Sequence, residues 1–162
     1  METCDPETIG VAAGLVRVSF LVQGIYARAA GRHGLTPAQA RLLCILLDAP
    51  RGMAELAGLL GVEKAGLTGL VDRVEHRGFV RRTAVPGDRR VLQPTLTPAG
   101  RRVAGAFHGE VTGELTALVA DMSPVDQERF RCALARIVQV HDVPAVFATV
   151  EPGDAATRAG GA

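Results

Sequence analysis

The chemistry this chain can do rests on arginine. Lys64 is its only lysine, and the remaining cations include two tight pairs, Arg81-Arg82 and Arg89-Arg90, on either side of Pro86-Gly87. Just upstream, Lys64, Thr68 and Arg73 fall within one short stretch. A guanidinium presents a planar fork of donors that fits phosphate oxygens and guanine edges, so this set is suited to recognising anions and bases. Bond-making chemistry has no comparable support. There is no glycine-rich phosphate loop after a strand, no nucleophile elbow and no credible triad. Asp72 and Glu75, three residues apart, read as charges on a helix surface. The formal net charge is only +1, so nucleic-acid binding has to come from where the charges sit.

The elements that must position these residues are legible. Glu63 to Arg77 has Leu67, Leu70, Val71 and Val74 at helical spacing, which leaves Ala65, Thr68, Gly69, Asp72, Arg73 and His76 on the opposite side. A preceding helix carries Met53, Leu56 and Leu60, with Gly61-Val62 as the turn between the two. Gly78 ends the second helix. Phe79 to Thr83 then reads as a strand, Pro86 to Arg90 as a loop and Val91 to Leu96 as the returning strand. Pro94 cannot donate to a ladder, which makes that strand an edge. A helix-turn-helix followed by a basic hairpin is a winged helix, whose usual use is to place its second helix in the major groove of double-stranded DNA and its wing arginines on phosphates or the minor groove.

Leu35-Thr36, Glu55-Leu56-Ala57, Leu70 to Glu75, Arg77 to Val80, Asp88-Arg89-Arg90 and Leu96 to Gly100 occur in the order and spacing of the MarR (multiple-antibiotic-resistance regulator) family. From about Val11 to Val140 the chain resembles this family, most specifically in the Asp-Arg-Arg wing followed by Leu-Thr-x-x-Gly. The resemblance implies a mainly α fold with a small β wing, flanked by N- and C-terminal dimerisation helices. It further implies a ligand-responsive homodimeric repressor on a pseudo-palindromic operator. The DNA-contacting set it implies is Lys64, Ala65, Gly66, Thr68, Gly69, Arg73, Arg81, Asp88, Arg89 and Arg90, with Arg90 in the minor groove and Asp88 holding an arginine in place. The chain departs from the family at Ala65, Gly66 and Gly69, where members commonly carry side chains that reach bases. One alternative is therefore a winged-helix interaction module without specific DNA binding.

The family also implies a small aromatic or anionic effector between the dimerisation helices and the winged helix. Matching positions are Arg17 and Gln39, with Phe20, Tyr26 and Phe107 as walls. Thiol or metal sensing is the other alternative. Cys44 and Cys132 lie among apolar residues and read as core, whereas Cys4 is near the terminus. His33 and His108 have no second ligand at metal spacing, so neither a metal nor a cofactor is expected.

The remaining segments complete the expected layout. Asp5-Pro6, Thr36-Pro37, Thr97-Pro98 and Ser123-Pro124 each read as a capping side chain followed by proline. They start helices running to about Arg32, Leu47, Ala120 and His141. The first has too wide an apolar stripe for one neighbour, which suggests a subunit interface. Residues 6–34 and 98–150 are the expected dimerisation helices, 35–97 the DNA-binding lobe and 151–162 a disordered tail. Residues 145–150 are apolar enough to dock on a partner. No uninterrupted apolar run of membrane-spanning length and no basic leader is seen, so a cytoplasmic protein with no membrane partner is expected.

Overall fold

The computed structural model describes residues 9–144 and residue 147. Six helices and one hairpin follow in the order α1 (Val11–Arg32), α2 (Pro37–Asp48), α3 (Met53–Leu60), α4 (Lys64–His76), β1 (Val80–Val85), β2 (Asp88–Leu96), α5 (Pro98–Ala117) and α6 (Pro124–Val140).

Three helices start as their sequence signals require. Thr36 caps α2 in a full capping box with Gln39, Thr97 caps α5 by accepting from the Gly100 amide, and Ser123 caps α6 from Asp126, each with proline in the first turn. Such a cap is worth about 1 kcal/mol. The fourth signal, Asp5-Pro6, lies outside the described residues. α1 itself begins at Val11 after an extended Gly10 that offers no capping side chain. α5 ends at Ala117, three residues short of expectation, and the chain passes through turns to Ser123.

α2 runs through the centre, burying Leu42, Leu43, Cys44, Ile45 and Leu46. Leu56 of α3, Leu67, Leu70, Val71 and Val74 of α4, and Ala104, Phe107 and Val111 of α5 close around it. Burying side chains of this size stabilises the fold by roughly 1.5–3 kcal/mol apiece. The seam between α4, the wing and α5 is unusually close. Thr97 donates to the Gly78 carbonyl at 2.6 Å through its hydroxyl and to the Phe79 carbonyl at 3.0 Å through its amide. A Cβ on Gly100 would stand 1.9 Å from that same Phe79 oxygen, so only glycine fits.

α1 and α6 remain incompletely covered. Val11, Leu15, Val16, Val18, Phe20 and Leu21 are exposed on α1, and α6 has no buried residue while showing Phe130, Leu134, Ile137 and Val138. Cys132 is therefore exposed in the protomer, contrary to the core position expected of it. Its neighbours Phe130 and Leu134 face the same open surface as the rest of α6. α1 also meets the length and composition of a membrane-crossing helix, with a mean hydropathy of 1.2. That apolarity is spread over a helix broken by Arg17, which is why no continuous run marks it in the sequence.

Candidate nucleic-acid interface

α4 is amphipathic, with Leu67, Leu70, Val71 and Val74 buried. Lys64, Ala65, Gly66, Thr68 and Arg73 are exposed and Gly69 is half-buried. Thr68 donates to the Lys64 carbonyl at 2.9 Å, so its hydroxyl proton is already used within the helix. Packing does not require the two glycines. A Cβ at Gly66 would meet nothing within 4 Å, and one at Gly69 would make only ordinary contact with Arg73 at 3.4 Å.

The wing departs from the expected loop. Asp88, Arg89 and Arg90 belong to β2, and the turn is reduced to Pro86-Gly87, where Gly87 takes φ +87°. The pairing is irregular: Ala84 faces Leu92 but Val85 faces Asp88. Arg89, Arg90 and Val91 therefore have no partners on β1 and are thrown outward, all three exposed. Asp88 does not hold a guanidinium as expected. Its carboxylate accepts the Arg90 backbone amide at 3.0 Å and so shapes the turn that displays Arg90.

Arg81 and Arg82 separate by strand alternation, with Arg81 exposed. Arg82 turns back onto α4, where its guanidinium donates to Asp72 at 2.5 Å and to Glu75, and its amide donates to Glu75 at 3.2 Å. Hydrogen bonding to Asp72, helped by the charge of Glu75, raises the Arg82 pKa further above its ordinary value. Asp72 and Glu75 are thus the means by which helix and wing are held together. Asp72 and Glu75, spaced i, i+3 on α4, are the sequence signal for where the inward-facing arginine of the pair goes. Arg77 has a similar unforeseen role, donating to the Gly34 carbonyl at 2.7 Å and to Gln39 at 3.3 Å while lying 4.8 Å over the Phe79 ring.

The expected effector residues do not enclose one pocket in the protomer. Arg17 and Phe20 are exposed on α1. The Gln39 carbonyl oxygen is occupied by the Thr36 amide and by Arg77, and Gln39 lines a groove of about 500 Å³ with Asp72, Arg73, His76 and Arg77. Phe107 is fully buried in the core, edge-on to Tyr26 at 5.7 Å. Desolvation pushes the Tyr26 hydroxyl up to about 12. On the adjoining seam, Glu110 and Glu114 of α5 take Arg28, Arg32 and His33 from the end of α1, with His33 at 2.7 Å from Glu110. His33 lowers the Glu110 pKa, with Arg32 adding to it.

Burial pushes the Cys44 thiol up to about 12, the opposite of what a redox sensor needs. Cys4 is outside the described residues. Among the described residues no group of three or more His, Cys, Asp or Glu could hold a metal ion.

Comparison with known proteins places this geometry. A family model described as "MarR family" matches residues 33–91. The chain is 36% identical over 74 residues to the HTH-type transcriptional repressor NicR of Pseudomonas putida, a match covering 45% of this chain and 47% of NicR, about half its length. It is 25% identical over 137 residues to the HTH-type transcriptional regulator PecS of Dickeya dadantii, covering 82% of each. Among solved structures, CouR of Rhodococcus jostii bound to p-coumaroyl-CoA superposes with a TM-score of 0.66 at 26% identity, covering 78% of this chain and 90% of CouR. The repressor CouR bound to a 23-mer DNA duplex gives 0.65 at 27%, covering 80% and 92%.

Proposed function

We propose that the chain is a member of the MarR family and acts as a homodimeric transcriptional regulator, most simply a repressor, that binds a pseudo-palindromic DNA site and is released by a small molecule. One observation carries this reading. Lys64, Arg73, Arg81, Arg89 and Arg90 are exposed and enter no ion pair among the described residues, while Asp72 and Glu75 on the same helix are taken up by Arg82. Asp88 is held by the Arg90 amide. Residues 63–96 carry seven cations (Lys64, Arg73, Arg77, Arg81, Arg82, Arg89 and Arg90) against four acids (Glu63, Asp72, Glu75 and Asp88), a local excess of three where the whole chain has a net charge of +1.

In this reading α4 lies in the major groove and Arg90 enters the adjacent minor groove. Base contacts come from Arg73, Thr68 and Lys64, with Ala65, Gly66 and Gly69 permitting close approach, and DNA shape supplies the remaining discrimination. The exposed apolar surfaces of α1 and α6 are covered by those of a second copy, so that two α4 helices meet half-sites about 10 base pairs apart. This dimer, and not a bilayer, is what covers α1, and the protein works in the cytoplasm. Residues 11–32 and 98–140 form the dimer and 35–97 the DNA-binding lobe. The effector class follows the p-coumaroyl-CoA-bound relative: a small aromatic or anionic molecule whose binding shifts the spacing of the lobes.

The test is a gel shift on the DNA upstream of the chain's own gene against random DNA, titrated with salt. The expected result is selective binding that weakens steeply with salt, by roughly 0.9 in log–log slope for each phosphate neutralised. Weak and equal binding to both DNAs would instead support an interaction module.

A further inference from the structure

Phe147, beyond the end of α6, stacks at 4.2 Å on the His108 ring of α5 and at 5.5 Å on Tyr26 of α1. Tyr26 in turn meets Phe107, so Phe147 completes a row of four rings in a cleft between α1 and α5. The cleft is not chemically matched to a phenyl group. His108 Nε2 and Thr112 Oγ1, one helical turn apart on α5, are buried and have no hydrogen-bond partner among the described residues. A hydrocarbon ring can fill the space but cannot pair with either atom, and unpaired buried polar atoms are costly.

We propose that Phe147 is an intramolecular stand-in for ligand: it occupies an aromatic cleft on the α1–α5 seam and is displaced by a planar aromatic molecule bearing an oxygen that hydrogen-bonds His108 and Thr112. The incoming ring replaces the stacking on Tyr26 and His108, and its oxygen supplies the partner that Phe147 lacks. Displacement moves Phe147 off α1 and α5, two of the helices proposed to form the dimer, so occupancy of the cleft bears on that assembly. This rests on the ligand-responsive reading above and adds to it that ligand must compete with the chain's own C-terminal segment. Self-occupancy nine-tenths of the time lowers apparent ligand affinity about tenfold.

The chain has one tyrosine and no tryptophan, so its intrinsic fluorescence reports Tyr26 alone. The experiment compares the full-length chain with its Phe147→Ala and Phe147→Leu variants. It measures acrylamide quenching of Tyr26 and binding of 4-hydroxybenzoate by calorimetry, both without DNA. Phe147→Ala should make Tyr26 several-fold more quenchable and bind the probe about tenfold more tightly, with Phe147→Leu between. Unchanged quenching in Phe147→Ala overturns the plug. Increased quenching with no probe binding in any of the three proteins overturns the aromatic-ligand assignment. Operator gel shifts on the same proteins keep the regulator reading separate, because its failure would leave the fluorescence result standing.

Discussion

Glu75 of α4 receives Arg82 of β1 twice, from the backbone amide at 3.2 Å and from the guanidinium, while Asp72, one turn earlier, takes the other arm of the same fork at 2.5 Å. A two-stranded ribbon is marginal alone in water. This one is fixed to the helix that it must accompany onto DNA, so the distance between α4 and the wing is set before binding. Arg82→Ala should weaken operator binding about tenfold while costing only about 1 kcal/mol of stability, since the pair is partly exposed. Arg82→Lys should recover little, because its donors sit on a single nitrogen and cannot reproduce the planar fork whose two separate nitrogens reach Glu75 and Asp72. Equal operator affinity in all three proteins would show that the wing does not depend on this tie. Thermal melts establish that the variants are folded.

Arg90→Ala should reduce operator affinity strongly, by roughly tenfold or more, and flatten any preference for A·T-rich flanks, because narrow A·T grooves concentrate the potential that an inserted arginine reads. Arg73→Ala should cost affinity as well. If Arg73 touches only phosphate, its loss should be similar on all sequences and should make the salt slope shallower by about 1. Gel shifts at several salt concentrations on the operator and on a flank-swapped version measure both effects.

Gly66 and Gly100 separate two reasons for glycine. Gly66→Ala meets open space in the first turn of α4, so it should stabilise the fold, by at most about 0.5–1 kcal/mol. If glycine is there for DNA to approach closely, the same change should lower operator affinity. Gly100→Ala puts a methyl 1.9 Å from the Phe79 carbonyl oxygen and should cost at least about 2 kcal/mol, or fail to fold. Denaturant melts of the two variants should move in opposite directions.

How much of this was legible in the sequence varies with the range of the interaction. Local signals carried: the Thr36-Pro37, Thr97-Pro98 and Ser123-Pro124 caps set helix starts because the capping bond spans only three residues. The buried face of α4 followed from its period alone. What failed depended on partners distant in sequence or on a backbone irregularity. Asp88 binds an amide instead of a side chain because the ladder slips by three residues, which no propensity encodes. The Gln39 side chain closes a capping box and also receives Arg77, a partner 38 residues away that local pattern does not reveal. Cys132 sits between apolar residues whose covering surface is not within the protomer.

Alkaline pH should expose the desolvated groups of the core. The Cys44 thiol rises from an ordinary 9.0 to about 12 and the Tyr26 hydroxyl from 10.0 to about 12, both chiefly through burial. In each case the folded protein keeps a proton that the unfolded chain releases. Stability is therefore fully present below pH 9 and lost progressively as pH rises from 9 to 12. Cys44→Ala should make this decline shallower, as read from denaturation midpoints across that range. At neutral pH iodoacetamide should leave buried Cys44 untouched until the protein unfolds.

A dimer built on α1 and α6 should be sensitive to charge there. Ile137→Asp, on a helix with no buried residue of its own, should leave the winged helix folded but shift the protein to monomer in sedimentation. Operator binding should fall steeply with it, because two linked half-site contacts become one. A dimer that persists in this variant would place the interface elsewhere.

The rung formed by Arg82 and Pro94 has a consequence for how crowded copies of this protein behave. The Arg82 amide points away from β2 toward Glu75, so the rung is a non-hydrogen-bonded one, and Pro94 opposite it lacks an amide altogether without weakening the ladder. Neither outer edge therefore offers a free donor at that level. A strand from another molecule would find one amide occupied and the other missing, which discourages the edge-to-edge stacking that seeds fibrils. The tie that aims the wing also keeps it from being extended into aggregates.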